Sequence, residues 1–175
     1  MKQVVQSAKT GKLSVRDVPA PKAAAGELLV QTRASLISAG TERLVVQFAR
    51  KSLAAKAKDR PDLVKKVMAK VRTDGLKATV KAVLSRLDEP LPLGYSAAGV
   101  VVAVGVGLEG TYRVGDRVAL AGAGLANHAE LNAVPKNLAA PIPHDVPDED
   151  ACYGTLAAIA LHAVRNLDAK LGETV

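Results

Sequence analysis

A chain of 175 residues can bury one sizeable core, and 49% apolar but only 2% aromatic residues mean that core is built from Val, Leu, Ile and Ala. The lone Cys152 excludes an intramolecular disulfide framework and a multi-cysteine zinc site. The net charge of +7 is local: Arg43 to Pro90 holds 13 basic and 5 acidic residues, a surplus of +8, and the rest of the chain sums to −1.

In chain order, Lys2–Ser7 and Leu13–Val18 alternate apolar and polar residues around Lys9-Thr-Gly-Lys12, a hairpin signal, and Glu27–Ile37 resumes the alternation after Gly26. Met1 to Asp17 has no apolar run, so no signal peptide is read there. Thr41 to Leu87 is helical. Thr41 is placed to cap a helix carrying Leu44, Val45 and Phe48, and Pro61 stands near the first position of a second, where a missing N–H costs nothing. Leu63, Val64, Val67, Met68 and Val71 then follow helical spacing with Lys65, Lys66, Lys70 and Arg72 opposite, and the pattern repeats after Gly75.

Strands return at Ala97–Val104, Asp116–Ala121, His128–Val134 and Leu138–Ile142. The uncharged run Leu91–Leu108 is broken by Pro92 and glycines at 94, 99, 105 and 107, so it reads as a buried strand rather than a membrane span. A last helix follows Pro147, with Asp148, Glu149 and Asp150 at the positive end of its dipole, and runs to about Leu167. Leu171–Val175 resembles the start of another strand. Short strands with glycine turns and a helical excursion predict a mainly β protein with helices (α+β), a partly open barrel. A soluble, cytoplasmic protein is expected.

Gly105-Val-Gly-Leu-Glu-Gly110 matches a dinucleotide fingerprint, but that motif works only where a helix N-terminus follows to receive the pyrophosphate. Here turn and strand follow, so the glycines read as a turn, and Gly122-Ala-Gly124 fails in the same way. His128, His144 and His162 have no partner at metal-ligand spacing and are read as packed or surface histidines. Ser38-Ala-Gly-Thr-Glu42 gathers hydroxyls and a carboxylate at a turn, either as a helix cap or as residues of a cleft.

Several segments together resemble the medium-chain dehydrogenase/reductase family, whose members carry a GroES-like barrel before a Rossmann domain. Pro92-Leu-Gly-Tyr-Ser-Ala-Ala-Gly-Val-Val-Val-Ala-Val-Gly105 is similar to its Gly-His-Glu…Gly-x-Val segment, and Val114-Gly-Asp-Arg-Val118 to its Gly-Asp-Arg-Val turn. His128-Ala-Glu-Leu131, Pro141-Ile-Pro143, the helix near Glu149 and Lys170-Leu-Gly-Glu-Thr-Val175 follow in order. The resemblance covers 1–42 and 90–175 and leaves 43–89 as a basic helical insertion. Ile37-Ser-Ala-Gly-Thr-Glu42 with that insertion resembles the zinc-less unit of two-part oxidoreductases fused to a glucose-fructose oxidoreductase-type unit. A bacteriochlorophyllide dehydrogenase-like group shares the turn.

The resemblance places Ser38, Tyr95 and, on the last helix, Leu156 where catalytic-zinc ligands stand in relatives. A hydroxyl, a phenol and a hydrocarbon do not make a zinc site, so no metal is expected. It implies hydride transfer between NAD or NADP and a carbonyl or alkene carbon of a small carbonyl or alcohol substrate. Tyr95, Thr41 and Ser38 would be the catalytic hydrogen-bond donors, and Glu42 and Ser96 would be cleft residues. The Rossmann domain would lie beyond Val175, so this chain alone should bind no cofactor and be inactive. The alternative is a stand-alone module that uses 43–89 to bind an anionic or protein partner. Membrane and nucleic-acid binding are not expected, since the basic residues alternate with apolar ones and no aromatic is interleaved for stacking. A co-chaperone role has only the fold in its favour.

Overall fold

The structure is a computed structural model that describes residues 1–8, 10–51, 55, 58–59, 61–168, 170 and 172. The strands are β1 (Lys2–Ser7), β2 (Leu13–Asp17), β3 (Glu27–Ser35), β4 (Pro90–Pro92), β5 (Ser96–Val104), β6 (Arg117–Ala121), β7 (Leu131–Pro135) and β8 (Ala139–Pro141). The helices are α1 (Ala39–Arg50), α2 (Pro61–Asp74), α3 (Leu76–Asp88), α4 (Asp148–Ala151) and α5 (Gly154–Leu167), with a 3₁₀ turn at Lys136–Leu138. The chain forms two compact units. One comprises Met1–Val4, Arg16–Ile37 and Leu93–Val175, and the other Val5–Val15 and Ser38–Pro92.

The first unit is built on a five-stranded sheet in the order β7-β3-β5-β6-β8, antiparallel at every pairing. Its connectivity forces it to curl. β7 and β8 occupy opposite edges, about 19 Å apart in a flat sheet with strands ~4.8 Å apart. Yet only the 3₁₀ turn separates Pro135 from Ala139, and at ~2.0 Å per residue it spans roughly 8 Å. The sheet must roll until its edges approach. Register shifts between Leu29 and Val30 and between Thr32 and Ala34 supply local bends in the longest pairing.

Alternation sorts the side chains onto two faces. Leu28 and Val30, Ala97 and Val101, Val118 and Leu120, and Val134 meet Leu108, Tyr112 and Ala126 in the main core. The opposite face of β5 puts Ala98 against Leu36 and Cys152, with Ala151 and Leu156 beside them. Arg117 on β6 anchors the start of α4, with Nε and Nη2 both donating to Asp148 Oδ1, at 3.0 and 2.8 Å.

Two expectations are corrected in this unit. The helix after Pro147 is not continuous: it breaks at Cys152-Tyr153 and restarts at Gly154. The strand expected from His128 begins only at Leu131, because the backbone at 128 is engaged elsewhere. His128 N–H donates to Leu93 O, and His128 O accepts from Val4 N–H.

The second unit holds the sheet β2-β1-β4, in which Val5, Gln6 and Ser7 pair with Pro92, Leu91 and Pro90. Its helix α1 starts two residues before the expected cap. Ser38, not Thr41, precedes the first turn: Ser38 Oγ accepts from Thr41 N–H at 3.3 Å, and Ser38 O accepts from Glu42 N–H. A side-chain oxygen three residues ahead of the N–H it satisfies is the usual capping geometry. Helices α2 and α3 meet at Gly75, where Thr79 Oγ1 donates to Gly75 O at 2.9 Å. The strand expected at 171–175 lies outside the described residues apart from Gly172.

Candidate functional site

Among the residues expected to carry chemistry, Tyr95 and Ser96 belong to the first unit, and Ser38, Thr41 and Glu42 to the second. Tyr95 stands where the chain enters β5, its carbonyl held by Gly122 N–H at 2.9 Å. The residue is half-buried, but its hydroxyl is shut off from solvent and has no hydrogen-bond partner. An orphaned buried hydroxyl costs roughly 1–3 kcal/mol, a cost that a ligand accepting its proton would remove.

Ser96 is fully buried, and its hydroxyl works between two elements. Oγ donates to Cys152 O at 2.6 Å and accepts from Thr155 N–H at 3.4 Å. It thereby ties β5 to the break between α4 and α5. Thr155, which the sequence did not single out, carries a second buried hydroxyl with no partner. Nothing in its helical surroundings in the sequence marks it. It lines a groove of about 520 Å³ whose walls are mostly apolar, among them Ala119, Leu138, Ala158 and Ile159. Leu156, placed by resemblance near a zinc-ligand position, packs instead against Leu36, Ala98 and Cys152.

A second hollow of about 560 Å³ is lined by Ser35, Leu36, Glu149, Asp150, Cys152 and Tyr153. Cys152 is 4% exposed, and its thiol donates to Glu149 O at 3.0 Å. Burial first, and then the charges of Glu149 and Asp150, push this thiol above its ordinary pKa, so it is held as a poor nucleophile.

In the second unit, Ser38 Oγ accepts the capping bond and keeps its own proton to donate. Thr41 is exposed and Glu42 half-buried. Of the histidines, His128 Nδ1 lies 2.9 Å from Ser35 Oγ, and His162 Nε2 lies 2.9 Å from Asn166 Nδ2. Among the described residues, no three of His, Cys, Asp and Glu gather in a way that could hold a metal ion.

The fingerprint-like glycines prove to be structural. β5 ends at Val104, and no helix begins between Gly105 and β6. Gly105 is required because a Cβ there would lie 1.8 Å from Ala24 O, and Gly107 adopts φ 89° in the turn. The backbone therefore offers no helix N-terminus for a pyrophosphate at this place.

No family model and no curated protein matches the chain. Solved structures match it throughout. Over 99% of this chain, the quinone oxidoreductase from Coxiella burnetii aligns with TM-score 0.67 and 18% identity, using 47% of its own length. The Escherichia coli quinone oxidoreductase complexed with NADPH aligns with 94% of this chain and 40% of its own, at TM-score 0.63 and 18% identity. The 2R,3R-butanediol dehydrogenase from Bacillus subtilis gives 0.66 and 17%, covering 99% of this chain and 49% of its own. At these identities the likeness establishes the fold: a mixed α+β unit with a curled antiparallel half-barrel of the GroES-like kind. The chain spans less than half the length of the solved structures it matches.

Proposed function

We propose that this chain is the substrate-side domain of a zinc-independent, NAD(P)-dependent medium-chain oxidoreductase, inactive without a dinucleotide-binding domain. One observation carries the reading: oxidoreductases of the same fold align with nearly all of this chain but less than half of their own. Two features support it. The described residues contain no strand, glycine loop and helix of the dinucleotide-binding kind. Helix α5 buries none of its residues and leaves Ile159, Leu161, Val164 and Leu167 at least half exposed, an apolar surface suited to covering by further protein.

The residues in the zinc-ligand positions of relatives do not fit a zinc ion, so oxygen stabilisation falls to hydrogen-bond donors. A nicotinamide held by the dinucleotide-binding domain would supply or accept the hydride. Tyr95 Oη, buried and without a partner, is the donor proposed to stabilise charge developing on a substrate carbonyl oxygen and to pass it a proton. On the sequence resemblance alone, Ser38 and Thr41 are proposed as further donors, and Glu42 and Ser96 as cleft residues. Ser96 would act by holding the start of α5 in place.

The test uses an extended protein in which this chain is joined to a dinucleotide-binding domain, with NADPH oxidation followed over a panel of quinones, ketones and aldehydes. Tyr95→Phe is expected to lower kcat by about a hundredfold or more, with a smaller fall in Thr41→Val. Unchanged turnover in both variants would reject the residue assignment. An extended protein with no turnover on any of these substrates would reject the oxidoreductase reading itself.

A further inference from the structure

Helices α2 and α3 carry half of the +8 charge surplus, seven basic against three acidic residues, and they display it beside exposed apolar side chains. On α2, Val64, Val67 and Met68 stand at helical spacing with exposures of 39, 38 and 58%. Exposed Lys65 and Lys70 flank that stripe, Lys66 lies opposite it and Arg72 stands one turn beyond Met68. On α3, Leu76 and Val80, one turn apart, are 65 and 47% exposed, and each is followed directly by an exposed lysine, Lys77 or Lys81. Among the side chains described, Val71 and Val83 are half-buried and Thr79 is buried.

We propose that the α2–α3 pair is a docking surface for an anionic phospholipid membrane, on which the helices lie in the interface plane. The chemistry selects that partner. An interfacial helix combines an apolar stripe, low overall hydrophobicity and a polar face rich in lysine, and α2 has all three. The lysines beside the stripes can reach lipid phosphates while their own stems and the Val, Leu and Met side chains enter the acyl boundary. A nucleic-acid backbone would satisfy the lysines but leave the apolar side chains in water. Residues 61–88 also contain no Phe, Tyr or Trp on which a base could stack. No helix among the described residues is long and apolar enough to cross a membrane, so the association is peripheral. This departs from the sequence expectation, which set membranes aside because the basic residues alternate with apolar ones and no aromatic is interleaved. The proposal stands independently of the oxidoreductase reading.

The test is flotation of the purified protein with phosphatidylcholine vesicles, with and without phosphatidylserine, at ~0.15 M salt. The protein is expected to float only with the anionic vesicles. Lys65→Ala/Lys66→Ala/Lys70→Ala should weaken vesicle binding by about a hundredfold. Met68→Gln/Leu76→Gln, at exposed positions where folding is spared, should also release it, with an unchanged far-ultraviolet circular dichroism spectrum as the control. Three outcomes would overturn the proposal: no flotation with anionic vesicles, equal flotation with neutral ones, or flotation that survives Met68→Gln/Leu76→Gln. Salt-sensitive binding to a DNA duplex without vesicle binding would overturn it in favour of nucleic acid.

Discussion

Cys152 keeps its proton more firmly than an ordinary thiol because burial and two neighbouring carboxylates oppose its ionisation. The folded pKa lies above the unfolded one. The associated stability is therefore complete below the ordinary value of 9.0 and is lost as pH rises through the folded value. Iodoacetamide at pH 8 is expected to modify the native protein at least ~10-fold more slowly than the urea-unfolded chain, where the thiolate forms freely. Equal rates would show an accessible, normally titrating thiol. At the same scale, sequence placed a helix start within Ser38–Glu42 but assigned the cap to the wrong hydroxyl. Ser38 and Thr41 are both good capping residues, and only the start of α1 at Ala39 decides between them. The orphaned hydroxyls of Tyr95 and Thr155 were not legible at all, since whether a buried hydroxyl has a partner depends on residues distant in the chain.

At the level of elements, the glycines after β5 separate two readings of one motif. If they serve a turn, their substitution should unfold the barrel and leave any nucleotide affinity of the folded fraction untouched. Gly105→Ala drives a methyl group into Ala24 O and is expected to cost at least ~2 kcal/mol. Gly107→Ala, with open space around it, meets only the strain of φ 89° and should cost roughly 1 kcal/mol. Thermal unfolding of the two variants checks the order, and a Gly105→Ala protein as stable as the parent would contradict it. Strand periodicity and the exclusion of a helix after Gly105 were readable because both are local. β4 was not, since its ends, Pro90 and Pro92, hide a strand in sequence. It is tolerated at the edge of β2-β1-β4, where a missing N–H need not break an inner ladder. The break at Cys152-Tyr153 escaped for a different reason. It is held by Ser96 across the fold, and no glycine or proline marks it until Gly154.

For the molecule as a whole, the α+β class and the curled sheet followed from strand order and short connections, and the comparison with solved oxidoreductases agrees in fold. What sequence could not give was the state of the helix surfaces. Amphipathic spacing says that a helix has an apolar side, and only the packed structure says whether anything covers it. Among the described side chains of α5 and of the α2–α3 pair much of that side is left open, the first proposed as a contact for a dinucleotide-binding domain and the second for a lipid surface. The central claim is that this chain contributes the substrate side and that nicotinamide binding resides elsewhere. The most direct measurement is a fluorescence titration with NADPH of the 175-residue chain and, in parallel, of an extended protein in which this chain is joined to a dinucleotide-binding domain. The account predicts no saturable binding to the first and one NADPH per chain in the second. Saturable, stoichiometric binding to the 175-residue chain, or none to the extended protein, would contradict it.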